Sequence, residues 1–139
     1  MWTVLLPTLL LLQSIAVQAQ SPTTVFPGLP PNRPRQASVI LLGYSKDGCP
    51  TVPDFGSDIS STFVCNQIAT TGLTNVVVIA GDQMPSTCIL TLYAESNCQG
   101  TSNAQIGPIF PSSRPSACIG PIRNPEGAVF EARSATLKC

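Results

Sequence analysis

Six cysteines constrain this chain more than any other feature of its sequence. All of them lie beyond residue 48, at Cys49, Cys65, Cys88, Cys98, Cys118 and Cys139. None has the C-x-x-C spacing of common zinc sites, and the chain of 139 residues contains no histidine. An even number of cysteines in a small chain is typical of a disulfide framework. Their spacing alone leaves the pairing open, because six cysteines can be joined in many ways.

The start of the chain predicts secretion into the oxidising compartment that disulfides need. Residues 1–19 carry an apolar run of leucines that ends in small residues at Ala19. This pattern is typical of a signal peptide that is cleaved after Ala19. Pro7 and Gln13 interrupt the run, and a membrane anchor needs about 20 apolar residues. We therefore predict a secreted, extracellular protein with no transmembrane segment after signal cleavage.

A proline-rich segment follows the predicted cleavage site. Five of the 18 residues at 20–37 are proline, which disfavours both helix and strand pairing. We predict a disordered leader or linker here. A propeptide cut after Arg35 is the alternative, but a single Pro-Arg step is a weak processing signal.

From residue 38 onward the sequence predicts an all-β domain. Short runs of β-branched, aliphatic and aromatic residues are bounded by turn residues, and no segment shows a helical period. The predicted strands are Ser38–Tyr44, Asn75–Ala80, Thr87–Tyr93 and Ala128–Ala132.

The domain contains an internal repeat. An apolar run ending in Tyr44 and followed by Cys49 matches a second run ending in Tyr93 and followed by Cys98. The step from tyrosine to cysteine is the same in both copies, and each copy has three cysteines. We place the repeats at about 38–88 and 89–139. Each has a length that suits a four-stranded antiparallel unit, and two such units can share one core.

The second copy, Tyr93-Ala-Glu-Ser-Asn-Cys-Gln-Gly100, resembles the hairpin signature of the βγ-crystallin family. In that family an aromatic residue is followed five positions later by a second large residue, and then by a glycine with positive φ. The first copy departs from the pattern, since Thr51 stands at the glycine position. Cysteine replaces the second aromatic, as in cysteine-rich secreted members that include killer-toxin-like proteins. The resemblance implies two Greek-key motifs packed as a disulfide-stabilised β-sandwich; an unrelated sandwich or barrel with a duplicated hairpin is the alternative.

Equivalent cysteines of the two crystallin-like repeats suggest a disulfide pairing. Cys49–Cys65 and Cys98–Cys118 would lie within the repeats, and Cys88–Cys139 would join their ends.

The resemblance also suggests a calcium site. The family places an acidic or amide pair before two Ser or Thr residues, and residues 57–62 keep one acid with the hydroxyls. Asp58 and Ser61 are therefore the candidate ligands. A calcium ion prefers several oxygen ligands, and the reduced motif makes calcium optional; no other cofactor is expected.

Catalysis and nucleic-acid binding are both disfavoured by composition. Without histidine there is no Ser-His-Asp or Cys-His arrangement, so we predict that the protein is not an enzyme. Seven basic residues balance seven acidic ones, whereas nucleic-acid binders carry a basic excess.

One loop carries the candidate contact residue. Residues 107–115 contain several prolines around Phe110, and a stiff loop presents a side chain with little loss of entropy. Tyr44 and Tyr93 are expected to pack at strand ends, and the arginines at 114, 123 and 133 to be solvated.

These observations favour a monomeric, effector-like binding module, similar in type to the small cysteine-rich secreted proteins of fungi. Its partner would be an extracellular protein, a glycan or a cell surface. The alternatives are a killer-toxin-like membrane or growth-inhibitory protein and a calcium-binding extracellular structural protein.

Overall fold

The computed structural model describes residues 36–62, 64–81, 84–112 and 114–139. The signal peptide predicted at 1–19 lies outside this part, as does most of the leader predicted at 20–37. Every strand or helix assigned in the described part is a β-strand, which confirms the all-β class. No helix that is long and apolar enough to span a membrane occurs among the described residues.

Seven strands make up the domain. Their bounds are β1 Ser38–Tyr44, β2 Phe55–Ser60, β3 Asn66–Gln67, β4 Asn75–Ala80, β5 Cys88–Tyr93, β6 Asn103–Ile109 and β7 Ser134–Lys138. The predictions for β1 and β4 are confirmed to the residue, and β5 begins one residue later than predicted.

The strands form two antiparallel sheets. The first has the order β2-β1-β4, and the second has the order β3-β7-β5-β6. In the central strand β1, Val39 and Leu41 are buried whereas Ile40 is 42% exposed. This alternation is what a strand with one face on the core requires.

The two halves of the domain share one strand arrangement. In the first half, β1 pairs with β2 on one side and β4 on the other. In the second half, β5 pairs with β6 and β7 in the same way. The predicted repeat therefore corresponds to two three-stranded units of like order.

Each half also adds a short piece of chain to the sheet of the other half. Strand β3 belongs to the first half and pairs with β7 of the second. In return, Ile119 pairs with Val76 of β4 through two N–H···O bonds of 2.9 Å. The halves are thus linked by backbone hydrogen bonds in both directions.

A single apolar cluster contains side chains from both sheets. The first sheet contributes mainly β1 and β4, and the second contributes mainly β5 and β7. The largest apolar side chains that are fully buried are Val39, Leu41, Ile59, Ile68, Leu73, Val76, Leu90, Leu92 and Leu137.

The prediction of a strand at Ala128–Ala132 is wrong. Val129 and Ala132 make only isolated bridges, and Val129 is 51% exposed. The last strand is β7 instead, where Leu137 pairs with Leu90 of β5. Tertiary pairing overrides local propensity here, because Ser134–Lys138 has little β preference of its own.

Three disulfides join the two halves, and the described part has no free cysteine. They are Cys49–Cys118, Cys65–Cys98 and Cys88–Cys139. The pairing expected for Cys88 and Cys139 is confirmed. The pairings Cys49–Cys65 and Cys98–Cys118 are wrong, because the exchanged segments carry Cys65 and Cys118 towards the opposite sheet. If the repeats are interchanged, the first two bonds map onto each other and the third maps onto itself.

The first residues of β4 and β7 are buried polar residues with matching roles. Asn75 is 2% exposed, and its Nδ2 donates to the Lys46 carbonyl at 2.6 Å. Ser134 is fully buried, its Oγ donates to the Glu95 carbonyl, and it accepts from Cys98 N–H at 2.9 Å. Lys46 and Glu95 occupy equivalent positions of the repeat, so each half anchors its first hairpin by the same device.

The glycine predicted to need a positive φ does have one. Gly100 has a φ of 92°, and a Cβ added there would lie 2.9 Å from Glu95 Oε1. The turn after β5 therefore accepts no larger residue at this position without strain.

Candidate ligand-binding groove

The groove is formed where the second half crosses onto the first sheet. Strand β6 ends at Ile109, and the chain then runs through residues 110–115 before it reaches β4. There Ser116 N–H donates to the Val78 carbonyl at 2.8 Å, and Ser116 Oγ accepts from Val78 N–H at 3.0 Å. The disulfide between Cys118 and Cys49 covalently fixes the segment after Ser116 to the first half. Both ends of the loop are thus fixed by the scaffold.

Gly107 allows β6 to approach the start of β5 closely. Its φ is 157°, and a Cβ added there would lie 3.0 Å from the Cys88 carbonyl oxygen. The register of β5 against β6 shifts between Cys88 and Leu90. Such bulges bend a strand and redirect side chains. Pro108 is tolerated next to it because β6 is an outer strand.

The resulting cavity has a volume of about 350 Å³. Its apolar lining comes from both halves, and the polar side chains of its described lining belong to the loop at 110–115 and to Ser116. The described residues that line it are Val78, Ala80, Ile106–Phe110, Ser112, Arg114–Ser116 and Ile119. This volume and this mainly apolar composition are those of small-molecule and peptide sites.

Phe110, the contact residue predicted from sequence, lies at this cavity. Its side chain is 65% exposed, the largest exposed aromatic in the described part of the chain. An exposed phenylalanine beside an apolar cavity offers more unpaired apolar surface than an isolated surface residue. The structure therefore provides a place where the predicted contact residue could act.

Arg114 also lines the groove, although its sequence context indicated ordinary solvated charge. Its backbone is held by Ser112, whose Oγ accepts from Arg114 N–H at 3.1 Å and donates to the Arg114 carbonyl at 3.3 Å. Among the described lining residues it is the only charged one. Sequence reasoning missed it because Val78 and Ala80, which complete the groove, come from the other repeat.

The two candidate calcium ligands lie at the β2 edge of the first sheet, away from the β4 edge that lines the groove. Asp58 is exposed on the outer strand β2, opposite Ile40. Ser61 follows β2, and its N–H donates to the Ala37 carbonyl at 2.8 Å. No group of three or more His, Cys, Asp or Glu ligands occurs in the described ranges. Calcium binding at Asp58 and Ser61 stays a prediction.

A second depression lies beside the first hairpin. It also measures about 350 Å³, and it is lined by Asp54, Phe55, Gln67–Thr71 and Leu73. Asp54 Oδ2 accepts from Ser45 N–H at 2.7 Å and from Ser45 Oγ at 2.8 Å. These two hydrogen bonds, that from the backbone first, lower the pKa of Asp54 below its usual value of 3.8. The Asp54 carboxylate therefore stabilises the first hairpin through its hydrogen bonds with Ser45.

The two tyrosines pack in the domain, and the arginines at 123 and 133 are exposed to solvent, as the sequence predicts. Tyr44 is buried, and Tyr93 is half-buried with its hydroxyl 3.4 Å from Thr136 Oγ1. Arg123 donates to the Gly127 carbonyl at 2.8 Å. Arg133 approaches Glu131 at 4.0 Å, with both side chains about half exposed.

Comparison of the chain with protein-family models, with curated proteins and with solved structures found no match. The geometry of the groove is therefore the basis for assigning a function to this chain.

Proposed function

We propose that this protein is a secreted, non-enzymatic binding module that recognises an extracellular partner or cell surface through the groove at Phe110. The observation that carries the proposal is the position of this exposed ring beside an apolar cavity, on a loop fixed at both ends. Functional contacts are often carried by loops that a rigid scaffold positions.

We also propose that the scaffold consists of two βγ-crystallin-like Greek keys packed as a sandwich. The like order of β2-β1-β4 and β6-β5-β7 supports this topology. The reciprocal exchange of β3 and Ile119 supports the close packing of the two motifs. So does the single cluster of core residues drawn from both sheets.

The chemistry of the groove supports binding in preference to catalysis. A general base needs a group that accepts a proton near neutral pH, and the chain has no histidine. The charged residue among the described lining is Arg114, and a guanidinium offers donors but no acceptor atom. The cysteines are oxidised and offer no thiolate nucleophile.

The disulfides are consistent with an extracellular protein. All six cysteines are paired, and such bonds persist in oxidising compartments. Secretion through the segment at 1–19, and action as a monomeric effector, belong to the proposal.

The direct test is binding of the purified, oxidised protein to intact cells. Fluorescently labelled protein is added to a panel of fungal, plant and bacterial cells, and saturable binding is measured by flow cytometry. We expect Phe110→Ala to weaken binding at least tenfold while the midpoint of urea unfolding stays unchanged. Val52→Ala is the matched control, since Val52 is 76% exposed in a different loop.

Equal binding by Phe110→Ala and Val52→Ala would place the contact surface elsewhere and contradict the proposal. Growth arrest or dye leakage from vesicles that disappears on reduction would instead favour the killer-toxin alternative. Release of products from a chromogenic substrate panel would contradict the non-enzymatic assignment.

A further inference from the structure

The described lining of the groove is mainly apolar and contains one charged side chain, and this combination selects a class of ligand. The assignment of a ligand class to the cavity at Phe110 rests on the proposed function. The larger part of its lining is apolar and consists of Val78, Ala80, Ile106, Ile109, Phe110 and Ile119. An apolar surface of this kind gains free energy by covering a hydrocarbon group.

The hydroxyl donors of the two described serines in the groove are already used. Ser112 Oγ makes two hydrogen bonds with the backbone of Arg114. Ser116 Oγ accepts from Val78 N–H and donates to the Ala117 carbonyl at 2.8 Å. A sugar needs several free donors and acceptors in its site, because its hydroxyls lose their water on binding. These two serines offer a sugar no free hydroxyl donor.

Among the described lining residues, Arg114 has the polar side chain that remains available for a ligand. No carboxylate lies within ion-pair distance of it among the described residues, where the one ion pair joins Arg133 and Glu131. Ser112 holds the backbone of Arg114, and Pro115 follows it, so the backbone at Arg114 has little freedom. A guanidinium pairs well with carboxylates, to which it can donate two parallel hydrogen bonds.

We propose that the groove binds a free amphipathic carboxylate with a single apolar tail, such as a medium-chain fatty acid. The tail lies in the cavity against Ile106, Ile109 and Phe110, and the carboxylate pairs with Arg114. The volume of about 350 Å³ is at the small end of the range for ligand sites. This size suits one apolar chain.

A free ligand fits better than an anionic membrane surface. Proteins that bind such surfaces through charge carry clusters of lysine and arginine. Here seven basic residues balance seven acidic ones, and Arg114 is the one charged residue in the described lining. The charge complementarity is therefore that of one carboxylate with one guanidinium.

The test is isothermal titration calorimetry of the oxidised protein with decanoate and with decanol, both kept below the concentration at which they aggregate. We expect saturable binding of one decanoate per protein. Arg114→Gln should weaken decanoate binding about tenfold or more, because it removes hydrogen bonds between charged groups. It should leave decanol binding unchanged. Arg133→Gln, an exposed arginine outside the groove, is the matched control and should change neither.

A chain-length series tests the position of the tail. Each CH₂ removed between decanoate and octanoate should weaken binding up to about fourfold, if the tail is buried. Phe110→Ala should weaken decanoate and decanol alike, since it removes apolar wall. The unfolding midpoint of each variant, measured in urea, shows that the fold is retained.

Several results would overturn this inference. They are the absence of decanoate binding, equal binding by Arg114→Gln, equal affinity for decanol and decanoate in the wild type, or binding to anionic vesicles alone. If one of these is found while cell binding remains sensitive to Phe110→Ala, the ligand class is wrong and the proposed function stands. If decanoate binds as expected but no cell binds the protein, the cell-surface partner fails and the ligand site stands.

Discussion

The two halves of the domain carry the same scaffold but differ in the connection that follows their second strand. In the first half, residues 61–74 lead from β2 to β4 and contribute the short strand β3 to the opposite sheet. In the second half, residues 110–133 lead from β6 to β7 and are longer and rich in proline. The longer connection carries Phe110 and Arg114, which line the groove together with residues of β4 and β6. The repeated strands therefore hold the fold and supply part of the groove lining, whereas Phe110 and Arg114 lie in the connection that differs between the halves.

The anchoring of the first hairpins differs between the halves in a smaller way. At the equivalent positions Ser45 and Ala94, the backbone N–H finds different acceptors. Ser45 N–H donates to the side chain of Asp54, and Ala94 N–H donates to the backbone carbonyl of Ser102 at 3.0 Å. One hairpin therefore depends on an ionisable group and the other does not.

Removal of a disulfide should have the largest effect on stability. The equivalent bonds Cys49–Cys118 and Cys65–Cys98 enclose sequence separations of 69 and 33 residues. Chain entropy predicts that each contributes about 4 kcal/mol, and that the longer loop contributes about 0.7 kcal/mol more. We expect Cys49→Ala with Cys118→Ala to lower the free energy of unfolding more than Cys65→Ala with Cys98→Ala. Urea unfolding followed by circular dichroism measures both.

The third disulfide provides the internal check on this ranking. Cys88–Cys139 has a separation of 51 residues, so its removal should fall between the other two. A reversed order of the three losses in stability would show that the disulfides of the two halves do not act in the equivalent way that their geometry indicates.

Substitution of Gly120 should have the next largest effect. A Cβ at Gly120 would overlap Asn75 Oδ1, so the buried amide must move away from the Lys46 carbonyl. We expect Gly120→Ala to lower the free energy of unfolding by about 2–3 kcal/mol, since buried polar groups lose their partners.

Gly81→Ala is the control for this change, because a Cβ at Gly81 meets nothing within 4 Å. Equal stability of the two variants would mean that the exchanged segment around Ile119 is not held against β4 as described.

The smallest effect should come from acid, and it should be confined to the first half. The folded pKa of Asp54 lies below 3.8 because Ser45 donates to it. The carboxylate therefore stabilises the hairpin above about pH 4, and this contribution is lost as the pH falls through the lower folded pKa. Asp54→Asn should remove it at neutral pH, and the difference from wild type should vanish in acid.

Amide hydrogen exchange resolves this effect by residue. On acidification, the protection of Ser45 N–H should fall relative to that of Ala94 N–H, whose acceptor does not titrate. Asp47→Asn, in the same exposed connection, is the control. Parallel loss of protection at Ser45 and Ala94 would contradict the assignment to Asp54.

The sequence predicted the strands that form the centre of the fold. Strands β1, β4 and β5 are apolar runs because they lie over the core, and burial leaves a clear pattern in the sequence. Strands β2 and β6 were not predicted, since they lie at sheet edges and show little alternation; in β2 only Ile59 is buried. Strand β7 was misplaced because its order comes from pairing with β5.

The candidate site could be predicted only in part for a related reason. Phe110 was predicted from its proline-rich loop, a local feature. The role of Arg114 depends on Val78 and Ala80, which reach the loop through an exchange between the halves. The same exchange is the reason why the predicted disulfides within each repeat are wrong. Local patterns in the repeat contain no information about which half a segment joins.

The disulfides that cross between the halves also set a condition on biosynthesis. If the protein is secreted as proposed, its nascent chain enters an oxidising lumen from its N-terminus, and domains fold as units. When residues 38–88 have emerged, Cys49, Cys65 and Cys88 are present without any native partner. Any bond formed among them at that stage is non-native and must be rearranged by thiol exchange. Correct oxidation of this protein thus waits for its second half, and yield in a secretory host should depend on a disulfide isomerase.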